Sequence, residues 1–130
     1  MNALEQVPGG AELCQWYGGI PGFHDAEIIE LHLHRTEPSL LRIRTWKMTN
    51  KIADEGGYVV EKYMVVSFTL EEISDLELLG FNRQNVIDGL FITQESAGFQ
   101  LTLEHIWGLS GSITAQRIKI GFEPESSLVG

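Results

Sequence analysis

Hydrophobic and polar residues alternate with a period of two over most of the chain, which indicates β-strands with one buried face. From Glu27 onward the apolar and polar faces of the first such stretch are Ile29, Leu31 and Leu33 against Glu30, His32 and His34. A turn at residues 36–39 and alternation at residues 41–46 predict a hairpin partner. Residues 50–57 are predicted to form a loop. Further strands are predicted at residues 64–70, 90–93, 99–104 and 113–122.

Two segments depart from this pattern. Leu13, Trp16 and Tyr17 fall at helical spacing between two glycine-rich breaks and predict one short helix at residues 11–17. Residues 71–79 fit one face of a helix and equally an extended strand, so the pattern leaves both open. Several short strands with one helix predict a mainly β fold: an antiparallel β-sandwich or a partly closed barrel with a short N-terminal helix.

The composition is that of a folded, single-domain protein. The chain has 130 residues, 43% of them apolar and 21% charged, which predicts one β-rich domain over residues 1–130. Cys14 is the single cysteine, and burial in the helix is its expected role. The N-terminus lacks a signal-like apolar segment, and no apolar run approaches about 18 residues. A cytoplasmic location is therefore predicted.

The charge is strongly negative, with 18 acidic residues against 9 basic ones and a formal net charge of −9. This sign argues against binding to nucleic acid or to anionic membranes and favours a basic protein partner. The alternative is that the charge only keeps a small domain soluble. Five of the nine bases fall within residues 35–51, which predicts a polarised surface.

Candidate chemistry is sparse. His24-Asp25 is typical of metal-dependent phosphohydrolases, but these place their ligands on several helices, so a turn-stabilising pair is favoured. His32 and His34 would project from one strand face, as two ligands of one metal ion do, but a third ligand is missing. An exposed strand face is the favoured interpretation. The chain contains no nucleophile elbow, phosphate-binding loop or paired cysteines, and no cofactor is predicted.

The run Phe23-His24-Asp25-Ala26-Glu27, preceded by Trp16-Tyr17-Gly18-Gly19 and leading into a strand, resembles the start of the immunity protein 50 family of bacterial polymorphic toxin systems. Later segments resemble that family as well: Gly57-Tyr58, Phe68, residues 81–87 and Trp107-Gly108. The resemblance implies a cytosolic, mostly β protein that neutralises a cognate toxin by binding it and has no reaction of its own.

The resemblance gives Phe23, His24, Asp25 and Glu27 as matched positions without assigning them a role. We interpret them as structural, with Asp25 capping a turn and Phe23 stapling the helix to the sheet.

Toxin contacts are expected instead in an acidic segment, because toxins that attack nucleic acids are often basic. Its members are Glu71, Glu72, Asp75 and Glu77.

Two alternatives stay open. One is a small metal- or ligand-binding domain, or a metal-dependent enzyme, that uses His24, Asp25, His32 and His34. The other is a homo-oligomer formed through exposed edge strands.

Overall fold

The computed structural model of the protein describes residues 2–52, 54 and 56–125. A short 3-10 helix at Leu4–Gln6 and the helix α1 at Gly10–Tyr17 precede six strands. The strands are β1 (Ala26–His32), β2 (Ser39–Ile52), β3 (Tyr58–Leu79), β4 (Val86–Glu95), β5 (Gly98–Trp107) and β6 (Ser110–Pro124). Within the residues that the structure describes, no helix is long and apolar enough to span a lipid bilayer.

The strands form one antiparallel sheet in the order β1-β2-β3-β6-β5-β4, and β4 pairs again with β1. This closing seam is short, because only Ala26 opposite Ile87 and Glu27 opposite Val86 are paired across it. The mainly β prediction is confirmed, and the partly closed barrel is the architecture observed. The predicted N-terminal helix is confirmed as α1.

The core fills the barrel with inward-facing side chains from all six strands. Fully buried examples are Ala26, Leu41, Ile43, Val66, Phe68, Leu70, Ile87, Ile92, Leu101, Ile113 and Ala115. Burying one large aliphatic or aromatic side chain stabilises the fold by about 1.5–3 kcal/mol. Leu13 and Cys14 of α1 join this core, and the chain before α1 passes so close to β6 that a Cβ on Gly9 would lie 1.8 Å from the Ile120 carbonyl oxygen.

The first strand differs from its predicted pattern. A β-bulge between Ile28 and Glu30 shifts the alternation, so that Ile28 is buried and Ile29 is only partly covered. The strand ends at His32, and His34 lies in the following turn. The prediction that His32 and His34 share one strand face is therefore wrong.

Residues 71–79 continue β3, which is 22 residues long. They pair with β6 from Glu71 opposite Arg117 to Leu79 opposite Ser110. A bulge between Ile73 and Asp75 inserts one residue, so Ile73 and Leu76 lie opposite the buried residues Ala115 and Ile113. The spacing of three that resembled a helix is thus produced by a bulged strand.

The loop predicted at residues 50–57 is shorter than expected, since β2 continues to Ile52 and β3 begins at Tyr58. Residues 53 and 55 of that prediction lie outside the described residues.

Candidate partner-binding site

At one end of the barrel, β3 and β1 each have an edge whose backbone is not paired with a described strand along its full length. β6 pairs with β3 as far as Leu79, but β2 pairs with β3 only as far as Leu70, opposite Ser39. β1 pairs with β4 only at its first two residues, and the Ile28 N–H then donates to the Asn85 carbonyl oxygen at 2.9 Å. In the described ranges 2–52, 54 and 56–125, no strand covers β3 beyond Leu70 on the β2 side.

An apolar groove lies between these edges. It consists of three hollows of about 500, 380 and 340 Å³, and neighbouring hollows share lining residues. We name it the edge groove and define it by six of its apolar lining residues: Leu31, Leu33, Ile73, Leu76, Leu78 and Phe81. Its lining also includes the charged residues Glu30, Arg35 and Arg83. Because these residues come from β1, the β1–β2 turn, β3 and the β3–β4 loop, the groove depends on the complete fold.

Exposed apolar side chains concentrate at the same end. In the part of the chain that the structure describes, six of the eight large exposed hydrophobic residues belong to this patch: Leu33, Leu76, Leu79, Phe81, Ile106 and Trp107. Phe81 is 71% exposed and Trp107 is 59% exposed. Exposed apolar side chains that cluster at one place mark interaction sites, and aromatic residues often dominate the binding energy of such sites.

The loops that carry the two aromatic residues are held by Asn85, whose exposed fraction is 4%. The Asn85 Oδ1 accepts hydrogen bonds from the backbone N–H groups of Asn82 at 2.9 Å and Leu109 at 3.0 Å, and its Nδ2 donates to the Asn82 carbonyl oxygen at 2.8 Å. The loops also approach closely, because a Cβ on Gly80 would lie 2.6 Å from the Gly108 carbonyl oxygen. The aromatic side chains therefore project from a fixed backbone.

The acidic segment lies on β3 beside the groove, and its four members differ. Glu71 lies 3.4 Å from Arg117 and 3.6 Å from Lys119, and Glu72 also contacts the Arg117 guanidinium. The bases of β6 thus neutralise part of the segment and weaken the predicted polarisation. Asp75 and Glu77 are exposed and receive no salt bridge from any described residue.

The matched run at Phe23 forms the turn into β1. Phe23 and Asp25 adopt left-handed conformations with φ of 63° and 64°, and the Ala26 N–H donates to the Phe23 carbonyl oxygen at 3.1 Å. The Phe23 ring is buried and packs against Phe68 of β3, with the ring centroids 5.9 Å apart. Glu27 lies within the closing seam. The described contacts place Phe23 against β3, and a capping role for Asp25 and a stapling role for Phe23 stay predictions.

His24 bridges the same seam. Its Nδ1 lies 2.8 Å from an Asp88 carboxylate oxygen on β4, and its Nε2 lies 3.5 Å from Asp25. The hydrogen bond to Asp88, and then the negative charge of Asp25, raise the pKa of His24 above its ordinary value. The contacts favour the protonated imidazole as a tie between β1 and β4.

The histidines proposed for a metal site are not brought together. His24 precedes β1, whereas His32 ends it and lies 3.1 Å from Glu30, and hydrogen bonding from Arg42 lowers the pKa of that carboxyl group. The His34 backbone N–H donates to the Ser39 hydroxyl in the turn. Among the described side chains, no group of three His, Cys, Asp or Glu residues is arranged to hold a metal ion.

Cys14 is buried as expected, and burial raises the pKa of its thiol. The protonated thiol is the less reactive form, so the contacts of Cys14 are those of a core residue.

The sequence reasoning did not identify the groove, the exposed Phe81 and Trp107, or the role of Asn85. Signals were present, because residues 81–87 and Trp107-Gly108 were among the segments that resembled the family. The pairing of these two loops through Asn85 could not be seen in either segment alone.

The chain was compared with protein families, curated proteins and solved structures. No curated protein and no solved structure matches it. The family profile described as immunity protein 50 matches residues 10–122. This range begins at the first residue of α1 and ends within β6, so it includes nearly all of the barrel and the whole edge groove. The chain therefore belongs to the immunity protein 50 family.

Proposed function

We propose that this protein is a non-catalytic immunity protein that binds a cognate toxin in the cytoplasm and neutralises it. Membership of the immunity protein 50 family supports this role. The observation that carries the binding claim is the exposed apolar patch with its groove at one end of the barrel. A folded domain gains nothing for its own stability by leaving such side chains in water.

The two exposed aromatic residues have the properties of binding anchors. Phe81 and Trp107 retain 71% and 59% of their surface in the free protein. Covering that surface with a partner contributes about 3 kcal/mol for each ring before the costs of association are subtracted. Their backbone is already fixed by Asn85, which lowers the ordering cost of binding.

The charges favour a basic toxin. The net charge of −9 attracts a cationic partner at long range, and Asp75 and Glu77 lie beside the groove without a salt bridge to any described residue. We propose that these two carboxylates contact the toxin directly. Glu71 and Glu72 share their charge with Arg117 and contribute mainly to the surrounding field.

The test is co-expression with the toxin-like protein encoded by the neighbouring gene. We expect the two proteins to co-purify and the growth arrest caused by the toxin to be relieved. Replacing both Phe81 and Trp107 by alanine should abolish rescue, whereas the matched Ile20→Ala variant should retain it, because Ile20 is exposed outside the patch. Circular dichroism of each purified variant checks that the barrel is folded.

A toxin that arrests growth equally with and without this protein, and that does not co-purify with it, would overturn the proposal. Rescue that persists in the double alanine variant would place the binding surface elsewhere on the barrel.

A further inference from the structure

The edge of β3 that faces away from β6 has the backbone geometry needed to accept a further strand. As far as the described residues show, Glu71–Leu79 has a strand neighbour on the β6 side alone, since the pairing with β2 stops at Leu70. At about 3.3 Å per residue this edge is roughly 30 Å long. Residues 74–77 are exposed. Backbone N–H and C=O groups along such an edge are a template for a further strand.

The edge groove runs beside this edge and divides into successive hollows. Ile73 and Leu76 line one hollow of about 340 Å³, and Leu76 and Leu78 line the next, of about 380 Å³. In an extended chain, side chains on one face recur about every 7 Å. Alternate apolar side chains of an added strand would therefore reach successive hollows, while the intervening side chains point to solvent.

The charges along the edge decide between possible occupants. A second copy of this protein would bring Glu72, Asp75 and Glu77 close to the same acidic residues of the first copy, and facing like charges are destabilising. A strand in which lysine or arginine alternates with apolar residues meets both the carboxylates and the hollows.

We infer that the cognate toxin donates an extended segment, with alternating basic and apolar residues, that adds to the β3 edge at Glu71–Leu79 and fills the edge groove. This inference rests on the proposed function, and it names the surface and the kind of partner segment. Backbone pairing supplies affinity that does not depend on the sequence of the toxin segment. The hollows and the carboxylates supply the contacts that select the cognate sequence.

Hydrogen–deuterium exchange tests the backbone pairing. The complex purified after co-expression is compared with the free protein, residue by residue along β3. We expect amides of residues 71–79 that point away from β6 to exchange at least about tenfold more slowly in the complex. Residues 64–70 already have strands on both sides and serve as the internal control, because their exchange should change much less.

Two pairs of variants test the side-chain contacts. Leu76→Glu should weaken toxin affinity at least about tenfold, whereas the matched Ile20→Glu should not. Asp75→Lys combined with Glu77→Lys should slow association with the toxin, whereas Glu12→Lys, at an exposed position of α1, should have little effect.

The outcomes separate this inference from the proposed function. Failure to form any complex overturns the proposed function and the inference with it. A complex that relieves growth arrest but leaves exchange at residues 71–79 unchanged overturns the inference alone. Protection of these residues that depends on the concentration of the free protein would assign the edge to a second copy, and would also overturn it.

Discussion

Replacing Asn85 with alanine is predicted to destabilise the barrel although no apolar packing is removed. The side chain makes three hydrogen bonds of 2.8–3.0 Å: two to the Asn82 backbone within the β3–β4 loop, and one from the Leu109 N–H that joins this loop to the β5–β6 turn. One of the groups it satisfies is the N–H of Leu109, a buried residue. In the alanine variant that N–H has no side-chain acceptor, and water has little access to it.

The expected cost follows from these three bonds. Leaving the Leu109 N–H unpaired costs about 1–3 kcal/mol, and losing the two bonds to the exposed Asn82 costs about 0.5–1 kcal/mol each, since water replaces them in part. The free energy of unfolding should fall by about 3 kcal/mol, which for a chain of this size lowers Tm by roughly 10 °C.

Urea unfolding followed by far-ultraviolet circular dichroism measures this difference. Asn82→Ala is the matched control, because among the described residues its side chain bonds to the Arg83 N–H alone, and its backbone bonds to Asn85 are preserved. We expect that control to cost less than about 1 kcal/mol. Equal losses in the two variants would refute the assignment of Asn85 as the link between the loops.

Three further predictions concern the seam, the helix and the β3–β6 pair. The pKa of His24, measured by NMR titration, should lie above 6.5 and should fall in the Asp88→Asn variant. The protonated His24 should stabilise the fold fully below pH 6.5, and this stabilisation should be lost as the pH rises through the folded-state pKa. Cys14 should resist a thiol reagent at pH 8 in the native protein and react in urea, because it is buried and its pKa is raised. Gly111→Ala should lower the free energy of unfolding by at least about 2 kcal/mol in a urea titration. The reason is that φ at Gly111 is 133° and the new Cβ would lie 1.8 Å from the Glu77 carbonyl oxygen. An unchanged unfolding midpoint would contradict this prediction.

The sequence predicted elements whose burial follows local alternation. Residues 118–122 of β6 and residues 41–46 of β2 were found because apolar and polar residues alternate within each segment and their burial follows that alternation. The sequence did not decide whether residues 71–79 are a helix or a strand. The bulge after Ile73 changes the spacing of the apolar residues, and only the pairing with β6 shows this. Local periodicity reports a strand faithfully only where the strand is regular.

The candidate site was less predictable than the fold. Leu33, Leu76 and Phe81 are far apart in the sequence, and they meet because β2 begins at Ser39 while β3 continues past it. The salt bridges of Glu71 with Arg117 and Lys119 likewise depend on strand order. Acidic residues could be counted from the sequence, but which of them are free for a partner depends on the register of β3 and β6.

The six exposed apolar residues at the end of the barrel lie outside its buried core, and this separation has an evolutionary consequence. Substitutions at Leu76, Phe81 or Trp107 leave the packing of the core intact, so most of them cost little folding free energy. Asn85 and the close glycine contacts meanwhile keep the supporting loops in place. Under the proposed function, the protein can therefore acquire a new binding preference by changing a few surface side chains while the barrel stays folded.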